Sequence, residues 1–133
     1  MIEIVHIGLG PLGQQMVRSA VERRSFRLVG AVDVDPAKTG RDLGELCGVK
    51  PLGIPISGTL ADALRGPTPQ VAVVTTVSSL AAFEPQLAPL ARARLPVVST
   101  CEELSFPWRR QPELARRIDQ VCRDTASPVS ARA

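Results

Sequence analysis

Three glycines and one acid carry the first chemical signal in this chain. Gly8, Gly10 and Gly13 stand in GLGPLG, the spacing GxGxxG. In such a turn the first glycine permits a tight reversal. The second lets the backbone approach a pyrophosphate where a Cβ would collide, and the third lets a helix pack closely on a strand. The apolar run Ile2 to Ile7 precedes the turn, and Pro11 follows it at the first helical position, where a missing N–H does no harm. A phosphate there meets free N–H groups and the positive end of the helix dipole. Pro11 and Leu12 complete the phosphate-facing segment. Asp33 comes 20 residues after Gly13, at the end of the next apolar run. Its carboxylate can accept both ribose hydroxyl protons of an adenosine and would repel a 2′-phosphate. The expected cofactor is therefore NAD. NADP is the alternative, because Lys38 and Arg41 are near enough in sequence to soften the preference. The plainer reading of Asp33 is a turn residue before Pro36.

A second set of polar residues follows later apolar runs. Thr75, Thr76, Ser78 and Ser79 come after VAVV. Hydroxyls at a strand's C-terminal end can meet a cofactor, or they can cap the next helix. Glu102 and Glu103 follow VVST, and a Ser or Thr three residues ahead of a Glu is also a capping box. Trp108 either lines a pocket or fills the space behind the loop. His6, the one histidine, lies inside the first strand and reads as a core or sheet-end residue. Cys101 has no His–Asp partner in sight to make it a nucleophile. The three cysteines lack metal-ligand spacing, so no metal site is expected.

The elements that must position these groups alternate. Strands are expected at Ile2 to Ile7, Arg27 to Val34, Ile54 to Ser57, Val71 to Thr76 and Val97 to Thr100. Helices are expected at Pro11 to Arg24, Pro36 to Leu46, Leu60 to Leu64, Leu80 to Leu95 and Pro112 to Asp124. Pro85 and Pro89 are expected to delay or kink the fourth helix. Strand and helix in steady alternation predict an α/β fold, a doubly wound parallel sheet of Rossmann type. The 133 residues make one domain, 1–133, and 44% apolar content excludes a disordered chain. Aromatics are 3%, so the core must be Val, Leu, Ile and Ala. The net charge of +3 is spread along the chain, and paired arginines have carboxylates close by, which argues against nucleic-acid binding. No apolar run is long enough to span a membrane. Three cysteines without an export signal suggest reduced thiols in a cytoplasm.

Over nearly its whole length the chain resembles the N-terminal domain of the dihydrodipicolinate-reductase-like dehydrogenases. Within that group it is most similar to the 2,4-diaminopentanoate dehydrogenase and native amine dehydrogenase family. The matching stretches are GLGPLG, VGAVDVDPAKTGRDLGELCG, VAVVTTVSS and VVSTCEELSFPWRRQPELARRID. The last is the most specific, with an acid pair followed by Phe106, Pro107 and Trp108. The resemblance implies NAD(P)-dependent oxidative deamination of an amine, or reductive amination of a ketone. It places Glu102 at the substrate amine as the catalytic acid–base group, with Glu103 in a structural network. A small-molecule amine or ketone is the implied partner, and the full-length protein is expected to be a homodimer. Two other readings share these residues. One is a non-catalytic NAD-binding module or remnant. The other is a dihydrodipicolinate-type reductase, against which Glu102 and Glu103 ahead of Phe106–Pro107–Trp108 argue.

The resemblance also implies a continuation. The family runs on with a strand like VLGTGVNPGF and a large second domain that builds the substrate pocket, whereas this chain ends SPVSARA. With suitable synonymous codons, Val129 to Ala133 shifted in frame encodes Leu-Gly-Thr-Gly. The tail is thus expected to come from a frameshifted or miscalled gene, leaving a truncated chain that is inactive alone.

Overall fold

The computed structural model describes residues 2–76, 80–100, 111–125 and 128–131. Among the described residues six strands form one sheet: β1 (Ile2–Ile7), β2 (Phe26–Val32), β3 (Ile56–Ser57), β4 (Val71–Val74), β5 (Val97–Ser99) and β6 (Val129–Ala131). All pair in parallel, in the order β3-β2-β1-β4-β5-β6. Parallel neighbours need a crossover, and helices supply most of them. These are α1 (Pro11–Glu22), α2 (Leu43–Cys47), α3 (Leu60–Ala63), α4 (Leu80–Arg92) and α5 (Pro112–Thr125). The expected doubly wound α/β sheet is the observed fold.

Two cores lie on opposite faces of the sheet because side chains alternate along each strand. Ala31 of β2 and Ile56 of β3 pack with Leu9, Val17, Leu43 and Cys47, from the α1 and α2 side. Val5, Val32, Ala72, Val74 and Val97 pack with Leu87, Leu90 and Ile118, from the α4 and α5 side. Both cores are built of aliphatic residues, as the scarcity of aromatics requires. The chain winds one way from β1 through β3 and the other way from β4 onward. The reversal falls between β1 and β4, and a crevice opens beyond the strand ends at such a point.

Several boundaries differ from the sequence patterning, each for a local reason. The helix expected at Pro36 to Leu46 forms only at Leu43–Cys47. Ahead of it, Lys38 and Thr39 both donate backbone N–H to the Asp35 carbonyl, and Gly40 turns the chain at φ 85°. Asp42 then caps the short helix. Its carboxylate accepts from the N–H groups of Glu45, Leu52, Gly53 and Ile54. A helix running through Asp42 would forfeit that set. Strand β2 stops at Val32, because Asp33 turns its side chain to the glycine loop, as described below. Helix α4 accommodates both Pro85 and Pro89. No element was expected after Asp124, yet Val129–Ala131 pair with β5 as β6, with Val97 N–H donating to the Pro128 carbonyl. Parallel pairing needs extended backbone groups rather than particular side chains, so the residues VSA can supply it.

Candidate dinucleotide site

A cavity of about 620 Å³ opens at the C-terminal ends of β1, β2 and β4. It is lined by five of the expected site residues: Gly8, Gly10, Asp33, Thr75 and Thr76. Pro11 and Leu12 are exposed in the first turn of α1, beside the cavity's wall rather than in it, and Gly13 is buried below the turn. Ser78 and Ser79 lie outside the described residues. So do Cys101, Glu102, Glu103, Phe106, Pro107 and Trp108.

The three glycines serve different purposes. Gly8 has φ 98°, and a Cβ there would stand 2.8 Å from Thr76 Cγ2 and 3.0 Å from Thr75 Oγ1. A Cβ on Gly13 would stand 2.0 Å from the Gly8 carbonyl oxygen. The fold itself therefore forbids side chains at both positions. Gly10 is the contrast. Its φ of −73° suits any residue, and a Cβ there meets no atom of the described residues within 4 Å. It faces the cavity at the N-terminus of α1, which no side chain among the described residues caps. The first turn of a helix carries N–H groups without helical acceptors. The place where a Cβ would go is thus kept clear beside backbone donors, and the residues present fit a pyrophosphate.

Asp33 joins this turn to the second wall of the cavity. Its Oδ2 accepts from Leu9 N–H at 2.9 Å, and its Oδ1 accepts from Asp35 N–H at 2.9 Å. Lys38 Nζ lies 3.7 Å from Oδ2 and donates to the Leu9 carbonyl at 2.9 Å. Burial works against the charged carboxylate. The N–H groups of Asp35 and Leu9 and the Lys38 ammonium outweigh it and hold the carboxyl below its ordinary range. Each carboxylate oxygen has two lone-pair directions, so Asp33 keeps capacity for ribose hydroxyls. Of the two basic residues near it in sequence, Lys38 reaches Asp33 and lines the cavity, and Arg41 is exposed.

Three contributors escape a sequence reading. Gln14 Nε2 donates to the Leu9 carbonyl at 2.9 Å, one turn into α1. Thr59 caps α3 by accepting from Asp62 N–H and also lines the cavity, with Gly58 and Leu60. Gln86 on α4 lines the cavity, and its Oε1 accepts from the Thr76 hydroxyl. Of these only Thr59 carries a spacing signal, three residues ahead of Asp62 in capping position, whereas Gln14 and Gln86 join the site through the way their helices lie against it. His6 is 2% exposed, with Nε2 3.3 Å from Thr75 Oγ1. Burial lowers its pKa to about 4, against the opposing effect of the Gly8 carbonyl. The ring is neutral near pH 7, in line with a core histidine. Among the described residues no group of His, Cys, Asp or Glu could hold a metal ion, and no helix is long and apolar enough to cross a membrane.

The family model for the N-terminus of dihydrodipicolinate reductase matches residues 2–101, from β1 to just past β5. The chain belongs to this family. As a dihydrodipicolinate reductase N-terminal domain it carries the Rossmann crevice of NAD(P)-dependent oxidoreductases. It is 33% identical over 91 residues to the 4-hydroxy-tetrahydrodipicolinate reductase of Desulfitobacterium hafniense, covering 68% of this chain and 33% of that protein. It is 39% identical over 67 residues to the Anaeromyxobacter enzyme of the same name, covering 50% and 25%. Among solved structures, the amine dehydrogenase from Mycobacterium smegmatis superimposes with a TM-score of 0.88. It is 29% identical, over 96% of this chain and 38% of that one. GenD2 from gentamicin A biosynthesis, solved with NAD, shares the fold at a TM-score of 0.71 and 19% identity, over 98% and 34%. The domain thus spans well under half the length of each of these proteins.

Proposed function

We propose that this chain is the cofactor-binding part of an NAD(P)-dependent amine dehydrogenase. In that role it serves oxidative deamination of an amine or reductive amination of a ketone. The observation that carries the reading is the likeness to the Mycobacterium smegmatis amine dehydrogenase, which runs through 96% of the chain. The acid pair Glu102–Glu103 ahead of Phe106–Pro107–Trp108 adds to it.

The chain's own groups would act as follows. The cleared space at Gly10 and the first turn of α1 receive the pyrophosphate. Asp33 accepts from the adenosine ribose hydroxyls, which favours NAD, and Lys38 moderates its charge. Thr76 borders the opening toward α4. When bound, the cofactor supplies the redox chemistry, accepting or giving a hydride at its nicotinamide. Glu102 follows β5 closely in sequence, and strand ends are where the crevice lies. A carboxylate there holds the substrate ammonium, takes its proton, and stabilises positive charge developing at the carbon–nitrogen bond. Glu103 serves the structure around it. A small-molecule amine or ketone is bound with the help of a second domain, and the full-length assembly is a homodimer.

The second reading is reduction of 4-hydroxy-tetrahydrodipicolinate, favoured by the curated relatives. One experiment separates the two. The chain is fused in place of the matching part of the Mycobacterium smegmatis amine dehydrogenase, and separately of the Desulfitobacterium reductase. Each fusion is assayed for NADH consumption with a ketone plus ammonium, and with the reductase's own substrate. We expect ketone- and ammonium-dependent turnover in the first fusion, reduced roughly 10²–10⁴-fold by Glu102→Ala and far less by Glu103→Ala. Folded, NADH-binding fusions in which only the second turns over would refute the amine assignment. Near-normal turnover of Glu102→Ala would refute the role of that residue.

A further inference from the structure

Thr75 faces the cavity, and its hydroxyl is already committed. Oγ1 lies 2.8 Å from the Gly8 carbonyl oxygen, 3.4 Å from the Ile7 carbonyl and 3.3 Å from His6 Nε2. A hydroxyl has one proton to give. The shortest contact takes it, so Thr75 donates to Gly8. With that proton given to Gly8, the 3.3 Å contact of His6 Nε2 with Thr75 is a hydrogen bond only in the ring's Nε2–H tautomer. The low pKa of this buried imidazole keeps it uncharged at neutral pH. The hydroxyl proton is therefore not free for a ligand oxygen. It holds a carbonyl.

That carbonyl belongs to the first residue of the phosphate turn. Its oxygen sits 2.0 Å from where a Gly13 Cβ would be, so it is turned in against the buried side of α1. A carbonyl oxygen is the negative end of a dipole. Rotated toward the cavity it would oppose an anion and displace the N–H groups behind it. Three features keep it inward: the missing Cβ of Gly13, the Thr75 hydroxyl, and the His6 ring that leaves the hydroxyl proton free for Gly8.

We propose that Thr75, with its proton directed by His6, is a positioning residue that sets the Gly8 carbonyl away from the pyrophosphate and so readies the turn for the dinucleotide. This rests on the reading of the crevice as an NAD(P) site. The effect is confined to the phosphate half of the ligand, because the adenosine wall is built from Asp33, Val34 and the start of α3.

The test uses the chain as it is. Thr75→Val keeps the shape and removes the hydroxyl, and Thr75→Ser keeps the hydroxyl. NADH and ADP-ribose are titrated by calorimetry, adenosine by saturation-transfer NMR, and each variant is melted. Losing the partner of a buried carbonyl predicts roughly 5–30-fold weaker NADH and ADP-ribose binding in Thr75→Val. Adenosine binding should be unchanged and Thr75→Ser should sit near wild type. His6→Phe should fall between them, since the hydroxyl can then swing to Ile7. Wild-type NADH affinity in Thr75→Val overturns the proposal. So does an equal loss of adenosine and NADH, which marks a general structural role. If Thr75→Val is unfolded at the assay temperature, Thr75→Cys, of similar size and a weaker donor, is read by the same criteria. A wild-type chain that folds and binds none of the three ligands removes the cofactor reading itself, a result distinct from the others.

Discussion

Replacing Gly10 with alanine should separate folding from cofactor binding. The added Cβ meets no atom of the described residues within 4 Å, and φ is −73° with ψ −172°, an extended conformation open to alanine. The cost to the free protein is thus limited to exchanging glycine for alanine at a helix N-cap, at most about 1 kcal/mol. For a domain of this size that lowers Tm by roughly 3–6 °C. In the complex the same methyl enters space the pyrophosphate needs. Forcing a methyl into a packed contact costs about 1–3 kcal/mol, which weakens NADH roughly 5–150-fold. Gly10→Val should abolish measurable binding. Gly13→Ala is the matched control, with a Cβ placed 2.0 Å from the Gly8 oxygen, so it should fail at the level of folding. The assay is NADH titration by calorimetry beside thermal melts of all three variants. If Gly10→Ala binds NADH as tightly as wild type, the cleared space at Gly10 is not where the pyrophosphate sits. If Gly13→Ala melts normally, the account of the turn's packing is wrong.

The other predictions concern charge. Asp33→Ser should weaken NAD and relieve repulsion of the NADP 2′-phosphate, and Lys38→Met should weaken NADP more than NAD. Dissociation constants for both cofactors decide this, and unchanged ratios would place Asp33 away from the ribose. His6 makes the fold acid-sensitive. Its pKa of about 4 in the folded chain lies below the unfolded value of 6.5, so the unfolded state binds the extra proton between those values. Stability should therefore fall by on the order of 3 kcal/mol as pH drops from 6.5 to 4. Melts of His6→Phe across that range should show a shallower decline, and parallel curves would refute the assignment.

The sheet was legible because its strands are short apolar runs bounded by Gly, Pro and Asp, and because GLGPLG fixes where β1 ends. The site was legible to the extent that it is local. Gly8, Gly10 and Asp33 follow from spacing and all reach the cavity. What spacing could not supply is contact across elements. Lys38 over the Leu9 carbonyl, Thr75 under Gly8 and Asp42 gathering four N–H groups each depend on loops meeting after folding. The second helix was over-extended because Pro36 and the apolar spacing after it suit a helix start, whereas Asp42, six residues on, is the better cap.

The unequal freedom of the three glycines also bears on descent. Gly8 and Gly13 are held by the chain's own packing, so any descendant that still folds must retain them whether or not it meets a cofactor. Gly10 answers to nothing among the described residues. In a lineage that had stopped using a dinucleotide, this position would be free to drift to serine or alanine with little penalty to folding. A survey of close descendants could therefore read use from disuse at one codon. Glycine kept at position 10 would mark lineages still under selection for the ligand, and substitutions there beside intact Gly8 and Gly13 would mark those surviving as scaffold alone.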